Sequence, residues 1–213
     1  MADNIKLEYS TERATVEVPL PTLKYIDDLM HLKCSPELMA SGVFPNAKEV
    51  TESFGAYWAA HKLRDHGFSL GDPNVLCVVV GDGNSPRTGI TFAYRSNWQV
   101  KSIDPRMGDW EEKLKDVQRL EIFKQRIEQC PFEWDGPALI VAVHSHSDPL
   151  ATWNSVSSPH KAMIAMPCCV PYELSVGRLL HVYDDYGIHS PQRRIKIYLE
   201  EKPTPTEDPD LDN

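Results

Sequence analysis

No apolar run in this chain approaches the ~20 residues that a membrane-spanning helix needs, so a transmembrane protein is not expected. The opening stretch from Met1 to Glu8 has no apolar signal region, and secretion is not expected either. Cysteine is sparse. There are five in 213 residues, an odd number without the spacing of a disulfide framework, which fits reduced thiols in a cytosol-like compartment. The expected location is therefore cytoplasmic, with no membrane partner. An excess of basic charge is missing too. The net charge of -9 argues against a broad basic surface for long nucleic acids, although a local basic groove stays compatible with it. No internal repeat is visible. Low complexity is confined to the C-terminal end, where Pro203 to Asn213 has little to bury and holds part of the acidity.

What is present is ordinary for a globular protein: 41% hydrophobic and 25% charged residues. The length suits one domain with a full core and is short for two. The expected organisation is an N-terminal extension over residues 1–45 packed on the core, a main domain over 46–201, and an acidic disordered tail over 202–213. In the extension, Ala14 to Val18 alternates, Pro19 and Pro21 follow, and a short helix is expected from Thr22 to Leu32.

The clearest helix runs from Asn46 to His66. Asn46 and Glu49 have the spacing of a capping box, and Gly67 is placed to end the helix. Val50, Phe54, Trp58 and Leu63 mark its apolar face. Ser53, Tyr57 and His61 either pack with that face or border a pocket. Strands are expected at Val75–Val80, Gln99–Asp104, Leu120–Lys124, Ala138–Val143 and Lys161–Met166. A short helix is expected over Trp110–Val117 and another over Leu150–Val156. Leu179–Tyr183 and Arg194–Leu199 alternate well and are expected to form an antiparallel terminal pair.

The most informative stretch is the apolar, largely β-branched run that ends at Gly81, Asp82, Gly83, Asn84 and Ser85. It has the pattern of a buried parallel strand that turns tightly and brings bare backbone up to a ligand. One strand–loop–helix unit later, the strand from Gln99 ends in the carboxylate of Asp104. A first strand closed by glycines and a second closed by an acid is the nucleoside-binding half of a doubly wound α/β fold. The acid is placed to accept bonds from ribose hydroxyls.

Five strands in β–α alternation followed by two antiparallel strands resembles the class I S-adenosylmethionine-dependent methyltransferase fold over about residues 46–201. The resemblance implies an α/β, Rossmann-like, doubly wound mixed seven-stranded sheet, with S-adenosyl-L-methionine as cofactor. It implies that Gly81, Asp82, Gly83, Asn84 and Ser85 hold the methionine part, that Asp104 holds the ribose, and that Ile127 and Glu128 flank and hydrogen-bond the adenine. The implied activity is methyl transfer to an unidentified acceptor, small or macromolecular. The chain departs from the pattern at Val79, where an acid is usual, at Ser85–Pro86, where a third close glycine is usual, and in its short inter-strand connections. These departures keep open a catalytically silent, methyltransferase-like binding or regulatory protein. A nicotinamide-dependent oxidoreductase ranks last, because the third glycine of the dinucleotide spacing is missing and the antiparallel end pair is not expected of it.

A second constellation follows strands four and five. His144, His146 and Asp148 follow one of them, Cys168 and Cys169 the other, and neighbouring strands would bring these groups to one rim. His144 is the first candidate for a catalytic base or for substrate orientation, and His146 the second, since an imidazole near its ordinary pKa of ~6.5 can accept a proton. Two imidazoles and two thiols can in principle hold zinc. Adjacent cysteines and a His-x-His pair are not the usual well-separated chelating pairs, so no metal is expected and the cysteines read as small buried apolar residues. Arg87, at the start of the helix after the glycine loop, is either solvated or in contact with an anion. Arg193 and Arg194 are either an exposed face or a contact for an anionic substrate.

Overall fold

The computed structural model describes residues 22–169, 173–175 and 177–200, together with the backbone of two strands. Those strands, β1 (Asn4–Glu8) and β2 (Thr15–Pro19), pair antiparallel with each other. The acidic tail lies outside the described residues. Helix α1 (Lys24–Met30) falls inside the expected 22–32 stretch. The next helix, α2 (Ser35–Ser41), is not evident in the sequence pattern, though it carries ordinary punctuation: proline in its first turn and left-handed Gly42 as its cap.

Helix α3 (Ala47–Ala60) continues as a 3-10 turn over His61–His66 and stops at Gly67, φ 87°. Only half of the expected capping box forms. Asn46 Oδ1 accepts from the Glu49 N–H at 3.1 Å, while the Glu49 carboxylate turns to Arg87 Nε at 2.9 Å. The rest of the fold runs β3 (Leu76–Val80), α4 (Arg87–Arg95), β4 (Gln99–Ile103), β5 (Leu120–Phe123), β6 (Phe132–Glu133), β7 (Pro137–Val143), α5 (Pro149–Asn154), β8 (Val156–Ser157), β9 (His160–Met166), β10 (Arg178–Asp184) and β11 (Arg194–Leu199). The two-residue strands β6 and β8 pair parallel with each other, a feature too short for any sequence period to reveal.

The main sheet has the order β10-β11-β9-β7-β3-β4-β5. Pairs from β5 through β9 are parallel, β11 is antiparallel to β9, and β10 is antiparallel to β11. This is the expected Rossmann-like mixed seven-stranded sheet with its antiparallel end pair. Both faces are covered, as a buried parallel sheet requires. Cys77, Val79, Leu139 and Val141 pack toward α3 and α4 with Phe54, Phe92 and Trp98. Leu76, Val78, Ala138 and Ile140 pack on the other face with Trp153, Ile127 and Val156. Successive side chains of one strand point to opposite faces, so each apolar run feeds both cores.

The expected helix over 110–117 is a set of turns, closed by Leu114 N–H to the Trp110 carbonyl and Val117 N–H to the Leu114 carbonyl. A helix this short has little to offset its nucleation cost. Its leading side chain is also committed elsewhere, since the Trp110 indole N–H donates to the Asn84 carbonyl at 2.6 Å.

Two residues hold the loop after β3 in place. The Asp82 carboxylate is buried and accepts from the Thr88 N–H at 3.0 Å, the Gly89 N–H at 2.9 Å and the Ser102 hydroxyl at 2.8 Å. It thereby caps α4 and ties it to β4. Gly81 sits at φ 79°, and a Cβ there would lie 2.6 Å from Ser145 Oγ. We expect Asp82→Ala to cost about 2–4 kcal/mol, because it leaves buried donors without an acceptor. Gly81→Ala should cost about 1–3 kcal/mol, from the left-handed φ and the contact with Ser145. Urea denaturation followed by circular dichroism measures both. A midpoint unchanged from wild type for either variant would contradict the assigned role.

Candidate functional site

Parallel register decides which residues meet. Val80 pairs with Ile103, so Gly81 and Asp104 leave the sheet side by side, and the Gly81 N–H donates to the Ile103 carbonyl at 2.9 Å. Val143 pairs with Met166, so the residues after β7 and β9 leave side by side as well. The chain runs outward from β3 to β4 and β5, then returns across β3 to β7 and β9. The carboxyl ends of β3 and β7 therefore flank a topological switch point, where open α/β sheets bind ligands.

A cleft of about 320 Å³ opens there, at the small end of the range for small-molecule sites. Gly81, Asp104, Ile127, Glu128, His144 and His146 all line it, so the rim gathers six of the ten residues read in the sequence as cofactor-binding or catalytic. Larger hollows beside α1 and beside the β10–β11 hairpin are lined by other residues.

The other four loop residues are turned elsewhere. Asp82 caps α4 and is 2% exposed. The Gly83 N–H donates to Asp104 Oδ2 at 2.9 Å. The Asn84 carbonyl accepts from Gly108 N–H and from the Trp110 indole. The Ser85 hydroxyl is buried and donates to the Val43 carbonyl at 2.9 Å. These residues shape the loop; Gly81 alone of the five lines the cleft.

Asp104 is 4% exposed. Each of its carboxylate oxygens accepts one backbone bond, Oδ2 from Gly83 and Oδ1 from the Arg106 N–H at 2.7 Å. An ionised carboxylate oxygen accepts in two directions, so each retains capacity for one further donor. The result is a rigid pair of acceptors at the cleft wall, suited to two adjacent hydroxyls. Ile127 is buried at the start of a 3-10 turn, and Glu128 beside it is exposed. They offer an apolar wall and a charged edge.

His144 has left-handed φ, 52°, uncommon for a non-glycine residue and characteristic of sites held by their surroundings. Its Nε2 lies 3.1 Å from the Gln192 carbonyl oxygen, and its Nδ1 lies 3.5 Å from Glu52 Oε1. The Nε2 contact is a hydrogen bond to a backbone carbonyl, and Nδ1 approaches the Glu52 carboxylate, so the ring is held from both sides. These contacts give His144 a held orientation at the cleft wall. Glu52 is fully buried and is paired with Lys48 Nζ at 3.0 Å. Nothing in its spacing separates it from the solvated glutamates of other helices, and only its contact with His144 marks it.

His146 Nε2 lies 3.3 Å from both Cys168 Sγ and Cys169 Sγ. The cysteines are not buried apolar residues: Cys168 is half-buried and Cys169 exposed. Burial acts to raise the Cys168 thiol, but the Cys169 backbone N–H and the His146 ring outweigh it and hold the thiol below its ordinary range. Arg87 is neither solvated nor open to a ligand. Its guanidinium donates to the Asp82 carbonyl and pairs with Glu49, clamping the glycine loop to α3. Ser53, Tyr57 and His61 pack within the helical layer: Ser53 on Thr88, Tyr57 by its hydroxyl to the Arg95 carbonyl, and His61 stacked on Trp58 at 4.5 Å. Arg194 pairs across the terminal hairpin with Asp184, and Arg193 lies over the Tyr186 ring. The polar and charged cleft residues given no role in the sequence are Arg106, Gln125, Arg126, Ser145 and Ser147. They come from irregular segments, where no period carries a signal.

No protein-family model matches the chain, and no curated protein matches its sequence. Among solved structures it is similar to a point mutant of MtNAS in complex with S-adenosylmethionine. The identity is 10% over 85% of this chain and 72% of that one, with a TM-score of 0.48. It is similar to 1,6-didemethyltoxoflavin-N1-methyltransferase from Burkholderia thailandensis, with S-adenosylhomocysteine bound, at 16% identity over 93% of this chain and 82% of that one, TM-score 0.39. Another is geranyl diphosphate C-methyltransferase from Streptomyces coelicolor, at 12% identity over 51% of this chain and 43% of that one, TM-score 0.38. Likenesses this distant leave the reading of the site to the residues of this chain.

Proposed function

We propose that this chain binds S-adenosylmethionine in the cleft at the switch point and transfers its methyl group to an acceptor. The observation that carries the reading is the placing of Gly81, Asp104, Ile127 and Glu128 around one cleft at the carboxyl ends of β3, β4 and β5. Gly81 lets ligand atoms approach bare backbone. The nearly buried Asp104 carboxylate, steadied by Gly83 and Arg106, accepts from the two ribose hydroxyls. Ile127 offers an apolar surface to the base, and Glu128 accepts from its polar edge. The bound cofactor supplies an activated methyl group. The protein's part is to hold an acceptor lone pair in line with it, and positioning of this kind is a large share of catalytic power.

The hydrogen bond from the ring to the Gln192 carbonyl and its closeness to Glu52 give His144 an orienting part at the acceptor side. Val79, standing where an acid is usual before the glycine loop, supports a second reading, a methyltransferase-like protein that binds the cofactor without turning it over. The acceptor class is open. Calorimetric titration of the full chain with S-adenosylmethionine and S-adenosylhomocysteine tests the proposal. We expect micromolar binding, and Asp104→Ala should weaken it by about 1.5–3 kcal/mol, roughly ten- to a hundredfold, as charge-assisted hydrogen bonds are lost. No binding of either ligand would end the proposal. Binding indifferent to Asp104→Ala would move the ribose site elsewhere. Tight binding without S-adenosylhomocysteine formation across candidate acceptors would favour the silent reading.

A further inference from the structure

Three donor atoms whose sequence spacing argues against chelation come together beside the cleft. His146 Nε2 lies 3.3 Å from Cys168 Sγ and 3.3 Å from Cys169 Sγ, and the two sulfurs are 3.5 Å apart. The triangle is nearly equilateral. Tetrahedral zinc, with bonds of ~2.3 Å to sulfur and ~2.0 Å to nitrogen, spaces such donors about 3.5–3.8 Å apart. Seating the ion therefore needs an outward shift of a few tenths of an ångström, within the reach of side-chain rotation.

The fold supplies this closeness by a route that motif spacing cannot register. β7 and β9 pair through Val143 and Met166, so the loops that follow them start level. Ser145 Oγ bonds Ser147 Oγ at 2.8 Å and accepts from the Ser147 N–H, and the Thr152 hydroxyl donates to Ser147 Oγ, which fixes the loop on both sides of His146. The Cys168 sulfur is also 3.9 Å from the His144 carbonyl, holding the second loop against the first. The donor set is two soft sulfurs and one imidazole with no carboxylate, the preference of zinc over magnesium or calcium. Most reduced cysteines are buried and inert, whereas Cys169 and His146 are exposed and an ion has a path to them.

We propose that His146, Cys168 and Cys169 form a zinc site with three protein ligands and an open fourth position. Three ligands plus an open position is the coordination of reactive zinc rather than of closed structural zinc. His146 lines the cleft, and Cys168 lines the neighbouring hollow of about 440 Å³ beside the β10–β11 hairpin. The open position is thus available to water or to a ligand in either cavity. Both thiols bind as thiolates and release their protons on binding. The site stands independently of S-adenosylmethionine binding.

The test uses the full chain, stripped with a chelator under a non-thiol reductant, then titrated with Zn2+ against a chromophoric competitor and separately with Co2+. We expect a single zinc ion per chain, with thiolate-to-metal charge-transfer absorption for cobalt. Cys169→Ser and His146→Ala should each weaken binding by at least about a hundredfold, more than the loss typical of residues behind the ligands. Cys34→Ser and Cys130→Ser should leave it unchanged. Both test positions are exposed, and circular dichroism checks that each variant is folded; if one fails to fold, the other decides. Absence of stoichiometric zinc binding would overturn the proposal. So would binding that survives both Cys169→Ser and His146→Ala, or that is lost with Cys34→Ser or Cys130→Ser.

Discussion

The buried carboxylate of Asp82 is the contact on which the rest of the site depends. One side chain satisfies two N–H groups at the start of α4 and the hydroxyl of Ser102 on β4. It joins the end of β3, the first turn of a helix and the neighbouring strand. A helix start leaves backbone donors unpaired, and a carboxylate there also meets the positive end of the helix dipole. With the loop held at this point, Gly81 is left facing Ser145 across the switch point, and Gly83 is left to steady Asp104. Arg87 closes the arrangement from outside by bonding the Asp82 carbonyl and pairing with Glu49. The glycine-rich loop is thus shaped by charges that point into the protein, and the face left toward the cleft is mainly backbone.

The same economy governs the histidine side. A buried glutamate such as Glu52 requires a partner, because an unpaired buried charge is costly. Lys48 pairs with it, and the His144 ring lies beside it with Nδ1 at 3.5 Å. His144 has a left-handed backbone angle, and its Nε2 bonds the Gln192 carbonyl. A residue that looks in sequence like a free base is part of the wall. His146 is left out of that network and meets the thiols instead.

The departure at Ser85–Pro86 takes on a physical meaning in the fold. In dinucleotide sites a third glycine allows a helix to pack closely on a strand. Here Gly89, inside α4, allows it: a Cβ there would lie 2.8 Å from the Ser102 Cβ. The same function is met three residues after Pro86, about one helical turn later than the motif places it. The helix expected over 110–117 fails for a related reason, since Trp110 is held by the Asn84 carbonyl and the segment serves as a strap over the loop.

The apolar runs at 75–80, 138–143 and 161–166, and the alternation in the last two strands, were enough to set the sheet class and its end pair, because burial imposes those periods locally. The same is true of Asn46 and Gly67 as helix stops, and of Asp104 as a strand-ending acid. Which residues share the cleft was decided by parallel register and by the crossover past β3, which no local period encodes. Those two features turned Asp82 and Ser85 inward, set His144 between Gln192 and Glu52, and brought His146 to Cys168 and Cys169. Chemistry-bearing residue types are legible in sequence because they stand at strand ends. The direction in which each side chain points depends on partners far along the chain, 92 residues away for His144 and Glu52, and only packing determines that.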